Sequence, residues 1–380
     1  MQFRDIIGQK EIKDQLVHTV VENRVSHAQL FLGPEGSGTL ALALAYAQFI
    51  NCEDKLPTDS CGQCASCRKY AKLIHPDLHF SYPFFAKHKE ETATDYMESW
   101  REVFLKQPYL SLEQWKEQLD ADNKQANINI AEAHAILKKL SLKSFEAEYK
   151  VLIMWLPEYL EKEGNALLKL IEEPPEKTLF LLVAENQDRI LNTIISRTQL
   201  VKIHKLKNTE VSQYLQQQLQ VAPAEAEQIA FMADGNLALA STLLADSTNN
   251  YQQLLVDWLR LIVTDNGTAL IKIVEEEFSK MGREALKSFL RYGINIFRQI
   301  LLIQHGLPQL VLAPEKELNF VHKFAENYAT EKIQETINCL EETHYSVTRN
   351  AHAKILILDL SLQLVLMYKY QTFPKGTQYI

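Results

Sequence analysis

Four of the five cysteines lie in one short stretch of the chain and could hold a metal ion. A disulfide scaffold would instead spread its cysteines through a short secreted chain. Two residues separate each of the last three members, a spacing that lets neighbouring thiolates reach one tetrahedral zinc ion. We therefore predict a structural Zn²⁺ site that leaves no open position for catalysis. Its ligands would be Cys52, Cys61, Cys64 and Cys67.

An iron–sulfur cluster is the competing interpretation of the same spacing. Ferredoxin motifs continue with x₃-C-P after the third cysteine, whereas Cys67 is followed by Arg-Lys-Tyr, which favours zinc. His75 and His79 lie nearby, but four thiolates already complete a zinc site, so we predict packing or turn roles for both. Cys339 is far away in a helical pattern and is predicted to be an ordinary buried residue.

A glycine-rich loop follows the first predicted strand and precedes a helix. It reads G-P-E-G-S-G-T-L and places glycines at Gly33, Gly36 and Gly38. A working phosphate loop reads G-x-x-x-x-G-K-[ST], where the Lys neutralises phosphate charge and the hydroxyl holds Mg²⁺. Thr39 and Leu40 occupy those two positions here. We predict a degenerate loop that does not hydrolyse ATP. The loop alone leaves open an ordinary glycine-rich turn.

The second element of an ATPase is also altered. It should be a buried strand followed by Asp-Glu, where the Asp orders Mg²⁺ and the Glu polarises water. The matching strand is VLIMW, and Trp155 and Leu156 occupy the two acidic positions. Glu158 lies further on, after a proline, and is not expected to substitute for them. Because both elements are altered together, we predict a chain that keeps an ATPase fold and is not an enzyme by itself.

These motifs must be positioned by an alternation of strands and helices. Several candidate strands lack a clean period of two, as strands buried on both faces should. The candidate strands are 29–32, 77–80, 151–155, 179–184 and 199–203. Helical patterns cover 9–22, 39–50, 130–140, 158–172 and 189–195. The pattern predicts an α/β fold with a mostly parallel sheet and helices on both faces. After about residue 206 only helical patterns remain, including wide apolar faces in 285–304 and 351–368.

Composition excludes several functional classes. The formal net charge is −8, which opposes a protein that grips DNA through its overall field. No apolar run is long enough to span a membrane, and the N-terminal residues lack the layout of a signal peptide. We expect a soluble, cytoplasmic protein with two or three domains.

Taken together, the motifs resemble those of the clamp-loader branch of the AAA+ ATPases. Within that branch the chain is most similar to the delta-prime family of bacterial DNA polymerase III subunits. The similarity covers residues 1–245 by motif, and the helical remainder by layout only. The segments that carry it are FRDIIGQKEIKDQL, VSHAQLFLGPEGSG, HPDLHF, EYKVLIMW, NALLKLIEEPPEKTLFLLVAEN and ISRTQLV.

The resemblance implies a stator subunit in a hetero-pentamer with gamma/tau and delta subunits. Such an assembly opens a ring-shaped sliding clamp and closes it on primed DNA. The family lends an arginine from a Ser-Arg-Cys motif to a neighbour's ATP site, and the matching residues are Ser196 and Arg197. A guanidinium supplied in trans stabilises charge on a transferring γ-phosphoryl group. ATP-binding members also carry a lid arginine in a Gly-Ser-x-Arg pattern, but Gly235-Asn236-Leu237-Ala238 lacks it.

The resemblance also implies a domain plan. Residues 1–205 would form the ATPase-like domain, with the zinc module at about 50–70 and an insertion at about 84–125. Residues 206–247 would form a helical lid, and 248–380 an all-helical collar for oligomerisation.

Two other functions remain as alternatives. One is an active clamp-loader ATPase of the gamma/tau type, which Leu40 and Trp155 disfavour because neither can hold Mg²⁺. The other is a zinc-dependent nucleic-acid-binding protein outside replication, which would need a basic face near the cysteines.

Overall fold

The computed structural model describes residues 1–121, 124–245, 251–313, 315–349 and 351–372. Parts of the predicted insertion, lid and collar therefore lie outside the described residues, at 122–123, 246–250, 314, 350 and 373–380.

Five parallel strands form one sheet in the order β2-β3-β4-β1-β5. They are β1 (Ala28–Leu32), β2 (Leu78–Ser81), β3 (Lys150–Trp155), β4 (Thr178–Ala184) and β5 (Gln199–Lys202). All five agree with the predicted strands to within one residue at each end. In the centre of the sheet, Leu30 lies opposite Leu182 on one side and Leu200 on the other.

Alternate residues of the central strands enter two different hydrophobic cores. Phe31, Ile153 and Leu181 pack into one core, whereas Leu30 and Leu152 pack into the other. Because both faces of the sheet are covered, apolar residues follow one another along each strand without a period of two. The predicted fold class, a parallel sheet with helices on both faces, is confirmed.

The helices of this part of the chain are mostly those expected. They are α1 (Lys10–Val21), α2 (Thr39–Ile50), α3 (Ala65–Ala71), α4 (Met97–Lys106), α5 (Leu112–Gln118), α6 (Ile130–Ser141), α7 (Leu168–Glu172), α8 (Asn192–Ile195) and α9 (Asn208–Gln218). The prediction of one helix over 158–172 is wrong. Tight 3₁₀ turns occupy Pro157–Tyr159 and Glu161–Leu167. Leu156 has a left-handed backbone, and Gly164 weakens α-helix in the interior of the segment.

The predicted insertion contributes aromatic side chains to the first core. Trp100 of α4 stacks on Tyr82 with ring centroids 4.0 Å apart. Trp115 of α5 meets Trp100 edge-on at 5.3 Å. The indole N–H of Trp115 donates to the carbonyl of Pro83 at 2.7 Å, so this buried polar group is satisfied.

The chain divides into two compact units. The first contains Met1–Gln220 and Asp234–Ser241, and the second contains Val221–Ala233 and the described residues from Thr242 onward. Residues of the predicted lid occur in both, and the division into three domains stays a prediction.

The remaining chain is helical throughout its described elements. Its helices are α10 (Pro223–Ala233), α11 (Leu237–Ala245), α12 (Tyr251–Thr264), α13 (Gly267–Glu276), α14 (Arg283–Gln304), α15 (Glu315–Asn327), α16 (Thr330–Thr348) and α17 (Ala353–Lys369). In the second unit α14 packs against both α15 and α16. Gly293 of α14 faces Leu340 of α16, where an added Cβ would be in ordinary van der Waals contact with the leucine side chain at 3.4 Å. Within the described residues, no helix is both long and apolar enough to cross a bilayer.

Candidate metal centre and phosphate loop

The four clustered cysteines come together where the chain passes from α2 to α3. Cys52 follows α2, Cys64 caps α3, and Cys67 lies in its first turn. Gly62, with φ +73°, turns the chain just after Cys61. All four Sγ atoms lie within 4.8 Å of one another, and those of Cys61 and Cys67 are 3.9 Å apart. A tetrahedral ion with bonds of about 2.3 Å separates its sulfurs by about 3.8 Å, so the donor set fits a metal ion.

Backbone N–H groups point at the cysteine sulfurs. The N–H of Cys61 donates to Sγ of Cys52 at 3.3 Å, and that of Cys67 donates to Sγ of Cys64 at 3.3 Å. The N–H groups of Gln63 and Cys64 lower the pKa of Cys61 to about 7. Burial raises the pKa of Cys52 and Cys67. A bound cation would favour the thiolate form of all four.

The cysteine loop is bonded to the first residues of the chain. The buried carboxylate of Asp59 accepts hydrogen bonds from the backbone N–H groups of Phe3 at 3.0 Å and Arg4 at 3.1 Å. Gln48 of α2 donates to the hydroxyl of Ser60 at 2.9 Å. Folding of this loop is therefore coupled to the position of the N-terminal segment.

The nearby histidines and the fifth cysteine lie outside the metal-ligating group. Nδ1 of buried His75 accepts from the N–H of Asp77 at 3.1 Å, and its ring packs 4.8 Å from Tyr70. Burial lowers the pKa of His79 to about 4. Cys339 is buried in α16, where burial raises its pKa to about 12. All three have the structural surroundings expected of them.

The glycine-rich loop joins β1 to α2, as predicted. Gly36 and Gly38 have φ of +69° and +86°, values that favour glycine, and Gly38 is the N-cap of α2. Gly33 lies so close to Ile203 that a Cβ would come within 2.8 Å of the Cβ of that residue.

Thr39 and Leu40, the two residues after Gly38, make contacts inside the protein. The hydroxyl of Thr39 lies 2.9 Å from that of Ser37. Leu40 is buried in the first core. Neither side chain supplies a cation or a free Mg²⁺ ligand.

Tyr109, which precedes α5, covers the phosphate loop. A Cβ on Gly38 would lie 2.6 Å from Cε1 of its ring, so the ring rests on the backbone at the beginning of α2. The hydroxyl of Tyr109 accepts a hydrogen bond from the N–H of Ile7 at 2.9 Å. The sequence interpretation missed this residue, because nothing local in the insertion indicates which loop its aromatics will reach.

Asn236 covers the other half of the loop. A Cβ on Gly36 would lie 1.9 Å from its Oδ1. Its amide donates to Glu35 at 2.9 Å, and the N–H of Leu237 donates to the carbonyl of Gly36 at 3.1 Å. A cavity of ≈ 20 Å³ remains beside the loop. This space suits about one water molecule and is far too small for a triphosphate.

At the end of β3, aromatic and aliphatic side chains fill the two positions where the sequence of an ATPase would carry its acidic pair. Trp155 and Leu156 are buried, and the Trp155 ring lies 5.2 Å from that of Trp100. Glu158 is buried as well, and its carboxylate accepts from the N–H groups of Glu185 at 2.6 Å and Asn186 at 2.7 Å. These bonds give Glu158 a structural role in joining the ends of β3 and β4.

Arg197 follows α8 and is partly exposed. Its Nε lies 3.2 Å from Oε2 of Glu172. Its Nη1 donates to the carbonyl of Thr193 at 2.9 Å and lies 3.4 Å from the hydroxyl of Ser196. All these partners belong to the α7 and α8 region, and none of them is a residue of the glycine-rich loop.

Comparison with known proteins places these features in a family. The family model described as "DNA polymerase III, delta subunit" matches residues 8–207. The tau subunit of DNA polymerase III from Bacillus subtilis is 25% identical over 377 residues, which cover 93% of this chain and 60% of that protein. The delta' subunit from the same organism is 22% identical over 362 residues, covering 94% of this chain and 95% of that protein.

Two further proteins are similar to this chain. The gamma subunit from Buchnera aphidicola is 25% identical over 253 residues, and this chain covers 59% of its length. A gamma-subunit-related protein of Thermotoga maritima, solved by crystallography, has 15% identity and a TM-score of 0.39, with 94% of this chain and 99% of that chain covered. The chain thus spans about 60% of the tau and gamma relatives named here. Because the family model covers more than half of the chain, the protein belongs to the DNA polymerase III delta subunit family.

Proposed function

We propose that the chain is the non-catalytic, delta-prime-type stator subunit of a DNA polymerase III clamp loader. The observation that carries this proposal is the phosphate loop, which lacks both cation-side groups and is covered by Tyr109 and Asn236. The delta' relative, matched over 95% of its length, supports the same assignment. The partners would be gamma/tau and delta subunits in a hetero-pentamer, which acts on the sliding clamp and primed DNA.

The chemical contribution of the chain would be Arg197, acting in trans. A guanidinium placed at the γ-phosphoryl group of a neighbour's ATP neutralises the charge that spreads over its oxygens as the bond to the leaving group breaks. Fingers of this kind are worth roughly 10³–10⁵ in rate in other nucleotide hydrolases. Arg197 is one-third exposed, which supports a role toward another subunit.

We also infer that the cysteine cluster binds Zn²⁺ in a structural role. Four thiolates at tetrahedral separations suit zinc, and with all four positions taken no site remains for a substrate. The bonds from Asp59 to Phe3 and Arg4 would let the ion stabilise the N-terminal segment through the loop.

The function is tested by mixing the purified chain with the catalytic loader subunits, the clamp and primed DNA. The chain alone should show no magnesium-dependent ATP turnover. In the assembly, Arg197→Ala should lower stimulated ATPase by about tenfold or more, and Arg197→Lys should restore only part of it because a point charge replaces the planar fork. Arg24→Ala, at an exposed site, is the matched control, and size-exclusion chromatography checks that the assembly is intact. Unchanged ATPase with Arg197→Ala would remove the finger assignment.

An active ATPase of the gamma/tau type is the second candidate. The similarity to the tau subunit over 93% of this chain favours it. It predicts micromolar ATP binding by the isolated chain, which isothermal titration calorimetry would detect. Absence of binding at millimolar ATP would count against this candidate.

A further inference from the structure

Three groups of its own chain contact Arg197, and the hydroxyl of Ser196 is the most distant of them, 3.4 Å from Nη1. Glu172 accepts from Nε at 3.2 Å, and the carbonyl of Thr193 accepts from Nη1 at 2.9 Å. Within the described chain, Nη2 has no hydrogen-bond partner. The guanidinium is therefore fixed through two of its nitrogens, and the third is available to a group outside the chain.

The elements that carry this pair are anchored in one core. Glu172 is the last residue of α7 and follows Ile171, whereas Arg197 comes just after α8, which contains Ile194. Both isoleucines are buried in the second core. The methyl group of Ile194 also packs against Gly164, where an added Cβ would lie 3.0 Å away. The helices next to the carboxylate and the guanidinium are thus packed into the same core.

An exposed arginine without such partners would sample many rotamers. Holding it in one conformation opposes the large rotamer entropy of its long side chain, and a finger that is already oriented loses less of that entropy in the transition state. Glu172 is 57% exposed and belongs to no other ion pair of the described residues. Its carboxylate is therefore committed to Arg197.

We propose that Glu172 is a positioning residue for the arginine finger. It orients the guanidinium of Arg197 so that the Nη2 side faces the γ-phosphoryl group of ATP bound to a neighbouring subunit. This inference rests on the proposed function of Arg197.

The experiment measures steady-state ATPase of the complete loader with clamp and primed DNA. Glu172→Ala should lower kcat about two- to fivefold, the size expected for an exposed ion pair, with KM for ATP unchanged. The kcat with Glu172→Gln should lie between that with Glu172→Ala and that with the natural chain, because the amide oxygen still accepts from Nε but carries no charge. Glu173→Gln and Glu173→Ala are matched controls at the adjacent exposed position and should behave like the natural chain.

A double-mutant cycle separates positioning from a structural role. In an Arg197→Ala background, Glu172→Ala should change kcat no further, because nothing is left to orient. A further loss in that background would overturn the proposal, and so would a kcat at or above the natural value in Glu172→Ala alone. That second result would mean that Glu172 withholds the finger instead of orienting it.

The two proposals fail in different ways. If Arg197→Ala leaves ATPase unchanged, the finger assignment and this inference both fall. If Arg197→Ala lowers ATPase and Glu172→Ala does not, only the positioning role of Glu172 is overturned.

Discussion

At the scale of single residues, the first unit contains a carboxylate that is removed from solvent. Glu132 of α6 is fully buried. One of its oxygens accepts from the N–H of Ala93 at 2.9 Å, and the hydroxyl of Ser81 also interacts with the carboxylate. Burial of a carboxylate carries a desolvation penalty that so few hydrogen bonds offset only in part.

Replacing this acid by its amide should stabilise the protein at alkaline pH. Burial raises the pKa of Glu132 above the ordinary value of 4.5, so the folded state holds the proton more tightly than the unfolded state. The resulting stability is complete below pH 4.5 and is lost as pH rises through the folded-state pKa. Glu132→Gln has no such loss, so its free energy of unfolding at pH 8 should exceed that of the natural chain by about 1 kcal/mol. The difference should be smaller at pH 5.

Urea unfolding at the two pH values measures this effect. Glu98→Gln, at an exposed position of α4, is the control for removal of a carboxylate from the protein surface. An equal effect of Glu132→Gln at both pH values would contradict the linkage.

At the scale of elements, the glycine-rich loop serves as a packing surface for the insertion. The ring of Tyr109 lies against Gly38, and its hydroxyl accepts a hydrogen bond from the N–H of Ile7. The loop therefore contributes to stability where an active ATPase would have a ligand.

Truncation of Tyr109 should destabilise the fold without creating a nucleotide site. Tyr109→Ala removes a buried ring and should cost about 3–5 kcal/mol, whereas Tyr109→Phe loses only the bond from Ile7 and should cost about 1 kcal/mol. Chemical denaturation measures both. ATP should still fail to bind, because Thr39 and Leu40 remain. Tight ATP binding by either variant would show that the ring alone closes the site.

The zinc ion proposed for the cysteine cluster should hold its module folded, so removal of the ion should unfold the module locally. We expect one zinc per chain by elemental analysis in the natural protein and in Cys339→Ser, and substantially less in Cys64→Ser. Because metal binding supplies folding energy to such loops, chelation should also speed hydrogen exchange at the amides of Phe3 and Arg4, which are bonded to Asp59. Retained protection after complete metal loss would contradict the coupling.

At the scale of the whole molecule, sequence patterns predicted what depends on local periodicity. The five strands were predictable because each is a short apolar run, and the cysteine cluster because its ligands are close in sequence. The segment 158–172 was mispredicted because Leu156 and Gly164 override an apolar helical pattern. The contacts of Tyr109 with Gly38, and of Asn236 with Gly36, join distant parts of the chain that no local pattern connects. For the same reason, the pairing of Arg197 with Glu172 became apparent only in three dimensions.

The aromatic cluster around Trp155 restricts which mutations could lead from this chain to an ATPase. Trp155 lies 5.2 Å from Trp100, which in turn stacks on Tyr82. An aspartate at position 155 would leave a large void and place a charge among rings that offer it no partner. Gaining the acid would require the neighbouring aromatics to change at the same time, and Thr39 and Leu40 would have to change as well. We therefore expect that no single substitution would give this chain both the acidic pair and the cation-side groups of a phosphate-loop ATPase.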